Sequence, residues 1–99
     1  MTDTKRVRVR VTEEDIREGV AEACRECPIA LAVRRECNPK VDVSVMRKVA
    51  ISMIPHPVYQ HRLSTAATNF MVKFDASKPV SPIEFDMNLP VWALKEDAT

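Results

Sequence analysis

Residues 6–11 read Arg-Val-Arg-Val-Arg-Val, an alternation that sets Val7, Val9 and Val11 on one face and Arg6, Arg8 and Arg10 on the other. A period of two belongs to an extended strand, and so sharp a contrast between faces belongs to a strand with one side buried. The same period returns near the other end, where Ile83, Phe85, Met87 and Leu89 interleave with Glu84, Asp86 and Asn88. Any fold for this chain must bury both strands on one side, and pairing them would set three arginines against two carboxylates.

The segments between these strands carry their own signals. Thr12 offers a hydroxyl N-cap, Glu13, Glu14 and Asp15 supply negative charge to the first helical turn, and Asp15 stands in the capping-box position. That short helix is expected to end at Gly19, the one glycine of the chain, where a left-handed backbone is anticipated. Pro28 is preset for the first turn of a second helix, with Cys27 just before it, and the helix is expected to run through Cys37 to the break at Asn38-Pro39. Residues 41–46 and 48–54 alternate as two strands of a hairpin, turning near Met46, Arg47 and Lys48. Residues 55–61, with Pro55 and Pro57 bracketing His56, read as a loop. Leu63, Ala66, Ala67, Phe70, Met71 and Phe74 follow helical spacing, and Trp92 sits in a tail beyond the last strand.

The order is therefore strand, split helix, strand, strand, helix, strand. With right-handed crossovers it is compatible with a single-domain α+β sandwich of ferredoxin-like type, β-α(α)-β-β-α-β, with four antiparallel strands and helices on one face. Ninety-nine residues make one domain, with its core over about residues 5–90 and a tail over 91–99. In that topology the first and last strands are neighbours, so the arginines face Glu84 and Asp86.

A formal net charge of +1 implies no polyanionic partner by itself. No apolar run approaches the roughly 18 residues that span a bilayer, and the charged N-terminus lacks a signal-peptide core, so a cytoplasmic location with reduced thiols is expected. Cys24 and Cys27 form a C-x-x-C pair. Zinc needs four ligands, and Cys37 stands about 10 residues or 15 Å along the second helix from Cys27, too far to share an ion; His56 and His61 could complete a set. A redox role would use the helix dipole to hold a thiolate, but Pro28 starts the helix after both cysteines, and Glu22 and Glu26 oppose Arg25. Packing at the junction of two short helices is the favoured reading, so no metal or cofactor is assigned.

At residues 11–33 the sequence resembles a family of short uncharacterised bacteriophage accessory proteins. The resemblance lies in Thr12, Asp15, Ile16, Gly19, Cys24, Cys27, Pro28, Ile29, Ala30, Leu31 and Ala32, and resumes at Phe70, Phe74, Asp75, Val80, Pro82 and Phe85. It implies a phage protein, of the kind that binds a host enzyme or takes up a host signal molecule.

Candidate ligand-binding residues follow from charge and placement: Arg6, Arg8 and Arg10 on the first strand, Arg34 and Arg35 at the end of the second helix, and His56, Tyr59, His61 and Arg62 after the hairpin. RNA-binding sheets present aromatic rings for stacking, and Lys48, Ala50 and Ser52 stand in their place here, so nucleic-acid binding is disfavoured. Neither a catalytic triad pattern nor a glycine-rich phosphate loop is present. The expected function is non-enzymatic: counter-defence in a host cell's cytoplasm by sequestering a nucleotide-derived signal or occupying a host defence protein. Sequestration predicts a homo-oligomer, because an interface supplies the depth that a small sandwich lacks. The competing readings are a C-x-x-C metal or redox protein and a small nucleic-acid-binding regulator.

Overall fold

A computed structural model describes residues 3–46 and 48–95. Along the chain run β1 (Thr4–Val11), α1 (Glu13–Glu18), α2 (Pro28–Arg35), β2 (Asp42–Val45), β3 (Lys48–Ser52), β4 (Tyr59–Arg62), α3 (Thr65–Asp75) and β5 (Ile83–Pro90), closed by a 3-10 turn at Val91–Ala93. The class is α+β, with antiparallel strand pairing throughout.

The alternation at the two ends of the chain is realised as a ladder. β1 pairs with β5 along its whole length, so that Arg6 stands opposite Asn88, Arg8 opposite Asp86 and Arg10 opposite Glu84. Val9, Val11, Phe85, Met87 and Leu89 are buried beneath it. A second ladder runs β2-β3-β4, with Val43, Val45, Val49 and Ile51 facing the core.

Two expectations are corrected here. The 55–61 loop ends in a strand, because Tyr59–Arg62 pairs with β3, with Val49 opposite His61 and Lys48 opposite Arg62. Its polar sequence leaves no apolar period to read, although Tyr59 and His61 are half-buried and Tyr59 packs against the core. The expected four-stranded ferredoxin-like sheet is accordingly replaced by two ladders, since β4 takes the edge of β3 that such a sheet offers to β1. Tyr59 spans the gap by donating its hydroxyl to the Asn88 carbonyl at 2.9 Å.

The α1 cap forms as its sequence dictates. Thr12 Oγ1 accepts from the Asp15 N–H at 3.1 Å, and the Asp15 carboxylate accepts from the Thr12 N–H at 2.9 Å. Gly19 does end the helix, but with φ −67° and not in the left-handed region. Its reason is space: a Cβ there would stand 2.6 Å from both Cδ and Cγ of Pro28 and 2.8 Å from the Asp15 carbonyl oxygen. The left-handed positions belong to Glu22 (φ 60°) and Ser77 (φ 59°).

Pro28 opens α2, and Cys27 caps it, its Sγ accepting from the Ala30 N–H at 3.4 Å. The helix stops at Arg35, short of the expected Cys37, whose backbone turns away to bridge with Leu94. Ile29, Ala30, Ala32 and Val33 are buried, and α2 packs on β1 and β2. The expected β2-β3 hairpin forms, with Val43 opposite Ile51 and Val45 opposite Val49, whereas the turn residue Arg47 lies outside the described residues. In α3, capped by Ser64, Ala67, Phe70 and Met71 are buried while Ala66 is exposed. Among the described residues no helix is long and apolar enough to cross a membrane.

Candidate functional site

The arginine row meets its carboxylates directly. Arg6 donates to Asp86 at 2.7 Å, Arg8 to Asp86 at 3.2 Å and Glu84 at 3.3 Å, and Arg10 to Glu84 at 3.1 Å. Arg6 and Arg8 hold the Asp86 carboxyl below the usual carboxylate range. Three guanidinium groups thus share two carboxylates on an exposed face, which lowers their capacity for phosphates. Such exposed pairs contribute little to stability. Replacing Arg8 with alanine is expected to lower the melting temperature by less than about 5 °C, and 0.5 M salt, an ionic strength well above the physiological range of roughly 0.15 M, should erase most of the difference. A larger, salt-independent loss in a melting scan would show that the row is structural.

The other candidates are dispersed. Arg34 donates to the Arg25 carbonyl, while Arg25 itself forks onto Asp42. Arg35 pairs with the buried Asp15 and also donates to the Arg10 carbonyl at 3.2 Å. His56 lies flat against Trp92, with ring centroids 4.5 Å apart and planes within 1°. Tyr59 is held by Asn88, and burial pushes its phenol pKa up. His61 lines a cavity of about 80 Å³ shared with Phe85, Asp86 and Met87.

Cys27 is fully buried and Cys24 half-buried, and all three cysteines are free thiols. Among the described residues no group of three or more His, Cys, Asp or Glu side chains is placed to hold a metal ion. Burial pushes the Cys27 thiol up and Cys37 up to about 11, from a usual value of 9.0. A raised acid leaves stability intact below the unfolded pKa and removes it as pH climbs to the folded one, because the unfolded chain ionises first. Stability should therefore fall between pH 9 and about 11, with about 2 kcal/mol of the loss due to Cys37. Urea midpoints at pH 8 and 10.5 for the wild type and Cys37→Ala would read this, and an equal alkaline loss in both would refute it.

Arg62 alone of the nine candidates lines the large cleft of about 880 Å³ between α3 and the end of the β2-β3-β4 ladder. One wall is a stripe of α3, namely Thr68, Met71, Val72 and Asp75, at the i, i+3, i+4, i+7 spacing of a single helix face. The opposite wall is Val45, Met46, Lys48, Arg62 and Leu63, and the turn Glu22, Ala23, Cys24 closes one end. That turn is fixed from both sides: the Glu22 N–H donates to the Asp75 carboxylate at 3.0 Å, and the Cys24 carbonyl accepts from Val45 at 2.8 Å.

The cleft lining carries charges of both signs. Lys48 and Arg62 are direct cross-strand neighbours near the start of α3, and Glu22 and Asp75 meet at its end. Two cations and two carboxylates leave the described lining with no net charge. The apolar part of the lining is Leu63, Met71, Val72, Val45 and Met46, with Met46 75% and Val72 64% exposed. Sequence reading named only Arg62 of this lining as ligand-binding and weighed Cys24 only within the C-x-x-C pair, because the lining comes from four separate segments that share no local motif. No protein-family model, curated protein or solved structure matches the chain.

Proposed function

We propose that the protein is a non-enzymatic binding protein that acts by occupancy, taking a segment of another protein into the cleft between α3 and the hairpin. The observation that carries this reading is an open, largely apolar groove whose described lining carries as many carboxylates as cations. A nucleotide-derived signal carries excess negative charge and calls for excess cations, whereas here the carboxylates equal the cations among the described residues and the first-strand arginines are already paired. A protein segment carries both signs of charge and apolar side chains. Its binding needs no second copy to build a pocket, so the ground for expecting a homo-oligomer falls away.

The resemblance to short bacteriophage proteins supports a bacterial host component as the target and the host cytoplasm as the setting. Cys24 provides the test. It is the half-buried thiol that lines the cleft, while Cys27 and Cys37 are buried, so a thiol-reactive photo-crosslinker attaches there selectively. Irradiation in bacterial lysate should yield one discrete protein adduct, lost when Val72→Arg obstructs the groove. If no adduct forms and native mass spectrometry instead finds a retained nucleotide, the sequestration reading replaces this one.

A further inference from the structure

The arginine strand has a second edge. The Val91 N–H donates to the Asp3 carbonyl at 2.9 Å, one rung beyond the pair of Thr4 and Pro90, so the odd-numbered residues of β1 exchange backbone bonds with β5. The even-numbered residues of both strands therefore turn their N–H and C=O groups away from the ladder. Three observations on the even rungs agree with this parity: Arg35 donates to the Arg10 carbonyl, Tyr59 donates to the Asn88 carbonyl, and Pro90 has no N–H to place in the ladder. Arg35 thus closes the far end of the β1 edge. Among the described residues the outward backbone groups of Thr4, Arg6 and Arg8 have no partner, and all three residues are exposed.

Backbone direction and side-chain face alternate with the same period, so the residues that turn their backbone outward are the ones that carry the arginines. A strand added antiparallel to this edge bonds to Arg6 and Arg8, and its residues on those rungs stand about 5.5 Å away, Cα to Cα, with side chains on the arginine face. Charge decides what those residues are. Arg6, Arg8 and Arg10 share two carboxylates, which leaves one positive charge over, and Arg6 and Arg10 are 75% and 73% exposed. On the other face Val7 is half-buried where Val9 and Val11 are buried, so the intervening residues of the added strand meet apolar surface. β5 already satisfies the first edge of β1 with this alternation, Glu84 and Asp86 standing between Ile83, Phe85 and Met87.

We infer that β1 takes up an extended segment of a partner protein in which acidic and apolar residues alternate, adding it as an antiparallel third strand beside β1 and β5. Backbone bonds supply the affinity and the arginine row supplies the choice. A second copy of this chain is disfavoured as occupant, because β1 against β1 sets cation against cation. No residue of β1 lines the cleft, so the inference stands whatever the cleft binds.

The test uses a short fluorescein-labelled peptide of alternating Val and Glu, with a sibling in which Lys replaces Glu. Anisotropy titration at low salt should show the Glu peptide binding roughly tenfold more tightly than the Lys peptide. N-methylation of its Glu amides, which face β1 in the antiparallel register, should abolish binding, whereas N-methylation of its Val amides should change it by less than about twofold. On the protein, Arg6→Pro removes an outward N–H and no bond to β5, so it should fold and bind roughly tenfold more weakly than Arg6→Ala. Glu84→Gln/Asp86→Asn releases the arginines and should tighten binding of the Glu peptide. Equal binding of the Glu and Lys peptides, indifference to methylation of the Glu amides, or no binding at millimolar peptide would overturn the proposal. A dimer in sedimentation that Arg6→Pro dissociates would overturn it too, since a second copy would then hold the edge. If Arg6→Pro fails to fold, the two methylated peptides decide.

Discussion

Replacing Asp15 with alanine should destabilise the protein by about 3 kcal/mol, or roughly 15 °C in melting temperature for a domain of this size. The side chain is 6% exposed and has two tasks. It accepts from the Thr12 N–H, closing the capping box of α1, and it pairs with Arg35 from the end of α2. Loss of a cap costs about 1 kcal/mol, and loss of a buried ion partner costs more, because the remaining charge keeps its desolvation without its compensation. Arg35 is 44% exposed, so water relieves part of that second cost and keeps the total near the lower end of the range for buried pairs. A double-mutant cycle with Arg35→Ala separates the parts. The Arg35 variant should lose the pair but keep the cap, and the double variant should lose less than the sum of the two single losses, because both substitutions remove the same pair. A change below about 1 kcal/mol for Asp15→Ala in urea unfolding would show that the junction does not depend on this residue.

The second large effect is expected at Gly19, where alanine should cost about 2–3 kcal/mol through overpacking. The added methyl meets the Pro28 ring at 2.6 Å, and that ring is buried at the first turn of α2, with no rotamer to move into. Relief requires that α1 and α2 separate. The backbone at Gly19 has φ −67°, open to any residue, so the cost is one of volume. Asparagine, which tolerates left-handed backbone well, should therefore be at least as damaging as alanine. If Gly19→Asn melts close to the wild type while Gly19→Ala does not, the backbone and not the Pro28 contact sets the requirement.

Where side chains repeat at a regular interval, the sequence announced its structure. The alternation at 6–11 and 83–89 predicts the first and last strands, their mutual facing was expected from a sheet topology of which only this pairing forms, and the Thr12 to Asp15 spacing predicts the α1 cap atom for atom. Gly19 was located as a helix end but for the wrong physical reason, because steric approach by a residue nine positions away leaves no mark on local patterning. β4 was missed since Tyr59, Gln60, His61 and Arg62 are all polar-tipped, and the half-burial of Tyr59 and His61 shows only once the backbone pairs with β3. That one strand also decides between one sheet and two. The binding residues were the least legible. Charge made the arginines conspicuous, but among the described residues six arginine–carboxylate contacts, four of them between the first and last strands, bind much of that charge internally. The cleft is assembled from a turn, two strand ends and one helix face, and each contributes residues that look ordinary in isolation.

The pairing of β1 with β5 also imposes an order of events on synthesis. β1 leaves the ribosome well before the strand it pairs with, since up to 86 positions separate partners such as Thr4 and Pro90. At about 5–20 residues per second the nascent chain carries an unpaired β1 for several seconds, and the same long separation slows the closing step afterwards. An exposed alternating strand of that length would ordinarily recruit another copy of itself. Arginine at every second position makes such a partner repulsive, and the repulsion vanishes once Glu84 and Asp86 arrive. The arginine row thus guards the strand while it waits, and becomes a set of weak surface ion pairs when the wait is over.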